Sequence, residues 1–180
     1  MMEHEVANEA LLQMRVQDGQ FLVDLSQQQA ILLIFLRHFG CTFCREALSD
    51  IAQKRQGIEA TGIKIIFVHM SENKLAERYF SRYDLIGIDH VSDPDCKYYA
   101  AFGLMKGSVT QLFGLKTWIR GFEAGVMDGH LVGVKQMGDG FQMPGVFVIQ
   151  NGVIKNSYIH KLASDRPDYT ELVGCCYGRL

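Results

Sequence analysis

The chain has 180 residues, 48 % of them apolar and 21 % charged, with a formal net charge of −2. That length suits one domain, and the composition is globular rather than disordered. The interleaved charges give neither a basic stripe for nucleic acid nor an acidic tail. The N-terminus, MMEHEVANEALLQM, lacks the basic and apolar regions of a secretory signal, and the longest apolar run, ILLIFL at 31–36, is too short to cross a bilayer. A cytoplasmic protein with no nucleic-acid or membrane partner is expected.

Residues 5–16 carry Ala7, Leu11 and Met14 at near-helical spacing and predict a short helix or turn. GQFLVDL at 19–25 reads as a short strand. AILLIFLRHF at 30–39 is apolar without alternation, as a central strand covered on both faces should be. From Cys41 a helical stripe runs through Ala47, Leu48, Ile51 and Ile58, ending near Gly57 or Gly62. IKIIFVHM at 63–70 predicts a second buried strand, followed by a helix that Ser71 is placed to cap. LIGIDHV predicts a third strand, and Asp93-Pro94-Asp95 marks a helix start that continues through Cys96, Tyr98, Tyr99 and Phe102 to Gly103.

Residues 107–129 show another helical pattern, with Leu112, Leu115, Ile119, Phe122 and Val126 on one side and Phe113 and Trp118 flanking it. Glycine-rich 133–144 reads as a loop. VFVIQ and VIKNSYIH, divided by Asn151-Gly152, predict a hairpin, and a short helix closes the chain at 165–173. The alternation of strands and helices implies a parallel sheet to which the hairpin adds antiparallel strands. The expected architecture is a single α/β domain over 1–180 with a central mixed sheet flanked by helices. Residues 1–18 form an N-terminal extension, and 107–143 a helical insert and loop before the C-terminal hairpin.

Five cysteines, Cys41, Cys44, Cys96, Cys175 and Cys176, an odd count at irregular spacing in a chain expected to lack an export signal, argue against a disulfide scaffold. Cys41 lies where the buried strand gives way to a helix, and free N–H groups there favour a thiolate. Cys44 follows one turn later, within reach of a disulfide. Arg37 and Arg45 are near enough in sequence to favour the thiolate further. A zinc site would need two further ligands from His38, His69, His90, Cys96 or His160, and none of these forms a spaced partner motif. Strand, Cys-x-x-Cys, helix is a placement for redox chemistry, with no metal or other cofactor expected. Pro144, just ahead of an apolar strand, suits an edge, a first position or a bend, and a cis Met143–Pro144 bond would bring backbone beside the cysteines.

Three ordered stretches, FLRHFGCTFCREALSDIA, VSDPDCKYYAAFGLMKG and GVFVIQNGVIKNSYIHKLASDRPDYTELVG, resemble the peroxiredoxin-like branch of the AhpC/TSA family in the thioredoxin superfamily. The resemblance covers roughly residues 19–174. It implies a thioredoxin-like fold and thiol-based reduction of a peroxide or a protein disulfide, with an unidentified thiol as reductant. By position Cys41 matches the nucleophile, Cys44 the resolving cysteine and Pro144 the cis-proline of thioredoxins. The chain departs from typical peroxiredoxins at His38, where they keep a threonine or serine, and at Ile34, where they keep a proline. Arg166 lies where they keep an arginine beyond the hairpin. His38, Phe39, Thr42, Phe43, Arg45, Met143 and Pro144 are the expected substrate pocket, Arg37 and Arg166 the thiolate's support, and Cys96 a secondary thiol. The aromatic stripe at 107–129 leaves open a homodimer, or a non-enzymatic interaction protein with a vestigial redox site.

Overall fold

Every residue of β1 (Ile31–Phe35) is buried, which a strand achieves only with neighbours on both edges and cover on both faces. The computed structural model describes residues 2–107, 141–162 and 165–176, without the side chains of residues 2–5, 42 and 175. The helix expected at 107–129, and the loop expected at 133–144 up to residue 140, lie outside the described residues. So do the side chain of Cys175 and the last four residues.

Chain order is α1 (Met2–Leu11), α2 (Leu22–Gln28), β1, α3 (Thr42–Ala60), β2 (Lys64–His69), α4 (Asn73–Arg82), β3 (Asp89–Ser92) and α5 (Lys97–Ala101). After residues 108–140 come β4 (Gly145–Gln150), β5 (Val153–Ile159) and α6 (Tyr169–Val173). The sheet order is β3-β2-β1-β4-β5. β1 pairs in parallel with β2, and β2 with β3, while β4 runs antiparallel to β1 and β5 antiparallel to β4. This is the mixed thioredoxin-like sheet the sequence leads one to expect. The hairpin turns at Asn151 (φ 54°) and Gly152 (φ 71°), two left-handed residues in succession, which is why Asn-Gly stands there.

Alternation along β1 divides the core. Ile31, Leu33 and Phe35 join Ile66, Val68, Tyr99, Phe102 and Phe147 on one face, where Ala7, Leu11 and Met14 of the N-terminal segment and Leu22 and Leu25 of α2 also pack. Leu32, Ile34 and Leu36 join Phe67, Val146 and Val148 on the other face, under Leu48 and Ile51 of α3, Phe80 of α4 and Tyr169 of α6.

Three local expectations fail for physical reasons. Residues 22–28 form a helix, not part of a strand: Leu22, Leu25 and Ser26 bury one helical face, and only Phe21 makes a bridge, to Arg15. In so short an apolar window, periods of two and of three to four fit equally well. Ser71 does not cap α4: the N-cap is Glu72, and the Ser71 hydroxyl is buried without a partner while its N–H meets His69 Nδ1. α5 begins at Lys97, after Pro94 rather than on it. Cys96 takes a left-handed conformation, and the Asp93 carboxylate reaches forward to accept from the amides of Lys97, Tyr98 and Tyr99. The aspartate is the right anion for that helix start, acting from four residues before it.

Candidate active site

β1 leaves the sheet under tight control. The Leu36 amide donates to the Val68 carbonyl at 2.9 Å, and the Tyr99 hydroxyl, from the opposite layer, donates to the carbonyls of Leu36 and Val68. The chain then turns through residues 37–40, and the Cys41 amide closes back on the His38 carbonyl at 3.0 Å. Cys41 is the N-cap of the 19-residue helix α3, and Cys44 sits in its first turn. Both are free thiols, only 1 % and 4 % exposed.

The two sulfurs are driven apart in acidity. The Cys44 thiol hydrogen-bonds to Cys41, Arg37 adds its positive charge, and the Phe43 and Cys44 amides add theirs. Together these overcome burial and hold Cys41 down at about 6. Burial and the neighbouring Cys41 push Cys44 well above the usual thiol range. Arg37 itself is 1 % exposed. Its Nη1 donates to Cys41 Sγ at 3.5 Å, its Nε to the Gln142 carbonyl at 3.1 Å, and its backbone N–H to Cys44 Sγ at 3.3 Å. Gln142 is buried, and its side-chain amide is tied to the Leu104 carbonyl at 2.6 Å. The surroundings thus favour a thiolate at Cys41 and a thiol at Cys44.

Of the residues expected around the pair, Phe43 and Pro144 line a narrow cleft together with Cys44. Phe39 is buried, stacked on Tyr79 with centroids 4.7 Å apart and edge-on to Phe80, so it packs in the core. Arg45 is exposed and its Nε donates to the Phe39 carbonyl at 3.5 Å. His38 is half-buried, Met143 is buried, and of Thr42 only the backbone is described. The Met143–Pro144 bond is trans, not the cis bond that the resemblance to thioredoxins implies, and the Pro144 carbonyl accepts from the His160 amide. Arg166 is bound to the carboxylates of Glu46 and Asp50, so Arg37 is the guanidinium on the thiolate. Cys96 packs against the core on the α5 side of the sheet. Among the described residues no cluster of three or more histidine, cysteine or acidic side chains is placed to hold a metal; His69 and His90 bond each other at 2.9 Å.

Sequence reasoning passed over Gln142 and weighed Tyr99 and His160 only in other roles, His160 as a zinc ligand. Gln142 follows an insert and has no local pattern. Tyr99 is read as one more apolar helix residue. One side of the cleft is local chain, residues 34–37 with Glu46, Ala47 and Asp50, but His160 and Tyr169 on the other come from more than a hundred residues downstream of the cysteines.

The profile of the AhpC/TSA antioxidant enzyme family matches residues 50–163, beginning shortly after Cys44. The chain is 26 % identical over 166 residues to the thioredoxin-like protein AAED1, chloroplastic, of Arabidopsis thaliana, a match covering 85 % of this chain and 64 % of that one. The chain thus spans just under two thirds of that relative's length. Reduced Prx3 of Vibrio vulnificus in complex with hydrogen peroxide superposes with a TM-score of 0.62 at 14 % identity, over 91 % of this chain and 89 % of that chain. A cysteine-to-serine mutant of peroxiredoxin 6 of Arenicola marina gives 0.58 at 14 % identity, over 89 % of this chain and 66 % of that one. At such identities the superpositions establish the fold. No described helix is long and apolar enough to cross a membrane.

Proposed function

The chain belongs to the AhpC/TSA antioxidant enzyme family, and from that premise we propose that it reduces small peroxides with Cys41 as nucleophile and Cys44 as resolving thiol. Membership supports thiol-based redox chemistry; the residues, the cycle and the substrate are this proposal. The observation that carries it is a cysteine at a helix N-cap, under a buried arginine, held at about 6 although only 1 % of it is exposed.

The Cys41 thiolate attacks one peroxide oxygen and the O–O bond breaks. The alcohol or water leaves with one added proton, and Cys41 becomes a sulfenic acid. The Cys44 thiol then attacks that sulfur, its proton leaves with the hydroxyl as water, and the Cys41–Cys44 disulfide forms. Keeping Cys44 protonated until this step suits it to supply that proton. A peroxide needs only a narrow path to a covered sulfur, whereas a protein disulfide must bring its own backbone. The Cys-x-x-Cys spacing favours a second reading, exchange with a protein disulfide, because a resolving thiol one turn away also releases a mixed disulfide.

Reduced protein is incubated with hydrogen peroxide, an organic hydroperoxide or a model disulfide, and its thiols are followed by mass in wild type, Cys41→Ser and Cys44→Ser. Peroxide consumption that needs Cys41, with a sulfenate accumulating in Cys44→Ser, is expected. Unchanged consumption in Cys41→Ser refutes the assignment, and fast disulfide exchange beside slow peroxide reaction selects the second reading. No thiol reactivity at all leaves the non-enzymatic interaction protein.

A further inference from the structure

Among the described residues, the cleft beside the cysteines has one sulfur in its wall, and it belongs to Cys44. Arg37, Phe43, Cys44, Pro144, His160 and Tyr169 contribute to its lining, while Cys41 does not. Its free space of about 30 Å³ has room for roughly two water-sized molecules. His160 brings a buried Nδ1 that lacks a hydrogen-bond partner. The lining also carries three carboxylates, Glu46, Asp50 and Asp165, against two guanidiniums, Arg37 beside the cysteines and Arg166, which is bound to Glu46 and Asp50. Asp165 also caps the amides of Lys161 and Leu162 at 2.8 Å, and so is held in place.

We propose that this cleft is the inlet for the reductant, a slender low-molecular-weight thiol that attacks Cys44 rather than Cys41 of the oxidised pair. The inference rests on the reading of Cys41–Cys44 as a cycling disulfide and adds the reducing half of the cycle. The incoming thiolate bonds to Cys44 Sγ, the Cys41–Cys44 bond breaks, and its electron pair stays on Cys41. A second thiolate attacks the bound reductant's sulfur and leaves as the symmetrical disulfide, while Cys44 departs with the electron pair and takes up a proton. Two thiols are oxidised for each protein disulfide reduced. Disulfide exchange is faster when the departing sulfur is the better stabilised; Cys44 has no proton to donate while it is in a disulfide, but Arg37 and the Phe43 and Cys44 amides still face Cys41 and make it the better leaving group. Access and leaving-group chemistry therefore select the same sulfur. With one carboxylate in excess over the two guanidiniums, the lining favours cationic and neutral thiols over anionic ones.

The test uses the full chain, oxidised with hydrogen peroxide until its mass shows the loss of two hydrogens. Cysteamine, 2-mercaptoethanol or 3-mercaptopropionate is added, the reaction is stopped in acid, free thiols are capped with a maleimide, and the peptide spanning both cysteines is fragmented. The expected result is the small thiol on Cys44 and the maleimide on Cys41. Each rate is divided by that thiol's rate with a small model disulfide. On that scale cysteamine should lead mercaptopropionate by about tenfold, and Glu46→Gln with Asp50→Asn should flatten the order. Ala47→Leu, which narrows the cleft, should slow all three thiols. An adduct on Cys41 overturns the inlet while leaving the cycle intact. An equal normalised rate for all three thiols overturns the charge selection. Failure of the disulfide to form under peroxide overturns the cycle and the inlet together.

Discussion

Replacing Arg37 by methionine removes one charge from the thiolate while keeping most of the side chain's bulk. Nη1 lies 3.5 Å from Cys41 Sγ, in a residue 1 % exposed, so solvent screens the pair little. A cation at that range lowers an acid's pKa by about 1–3 units, and because the Cys44 hydrogen bond is the larger cause here, about 1.5 is the appropriate share. Cys41 should therefore rise from about 6 to about 7.5. At pH 7 its thiolate fraction falls from about nine tenths to about one quarter, so Cys41-dependent peroxide consumption slows about fourfold. Above about pH 8.5 the loss should largely disappear. The assay is the pH profile of Cys41 carbamidomethylation by iodoacetamide, read by mass, beside thiolate ultraviolet absorption. Arg37→Lys keeps the charge and should fall between the two profiles. Losing the donor to the Gln142 carbonyl lowers stability by about 1–3 kcal/mol, which a melting curve records and which leaves the inflection unmoved. An inflection that stays near 6 in Arg37→Met refutes the electrostatic argument.

Burial lowers His69 to about 3 and His90 in the same direction, so both stand neutral in the folded chain at neutral pH. Between the unfolded value near 6.5 and the folded one, only the unfolded chain takes the proton. Stability should thus drop as pH falls below 6.5, by about 2 kcal/mol at pH 5 from His69 alone, and urea titrations of wild type and His69→Gln should show that slope shrinking in the variant. Gly145→Ala would set a Cβ 2.5 Å from Leu104 Cδ2 and 3.2 Å from Phe147 Cε2, and should cost about 1–3 kcal/mol in the urea midpoint. Tyr99→Phe leaves the Leu36 and Val68 carbonyls without their shared donor and should cost about 1–3 kcal/mol in the same titration, with Cys41 still reacting.

The central strands, the hairpin and the placing of Cys41 at a strand-to-helix junction are legible because each rests on local chemistry. These are unbroken apolar runs, an Asn-Gly turn, and sulfur at a helix start. What sequence leaves out is set by distance along the chain or by ambiguity within a short window. LVDLSQQ fits two periods, and burial of Leu22 and Leu25 on one face decides for the helix. Arg37 is identifiable as a nearby cation, but its direction is fixed by the carbonyl of Gln142, 105 residues away. The order of Cys41 and Cys44 along the helix start already assigns them different parts, but not the groups that face each sulfur. The fold separates them, giving one the guanidinium and helix amides and the other a wall of the cleft.

One consequence lies in the strand that ends at the site. β1 is hydrogen-bonded on both edges, to β2 and β4, and covered on both faces. Its amides have no local route to solvent, so their deuterium uptake is governed by opening of the whole domain. The first turn of α3 is different: the amides of its opening residues lack acceptors inside the helix. Labelling the reduced and oxidised chains side by side therefore separates two quantities in one experiment. β1 reports what closing the disulfide does to global stability, and residues 42–44 report what it does to the first turn of α3 alone.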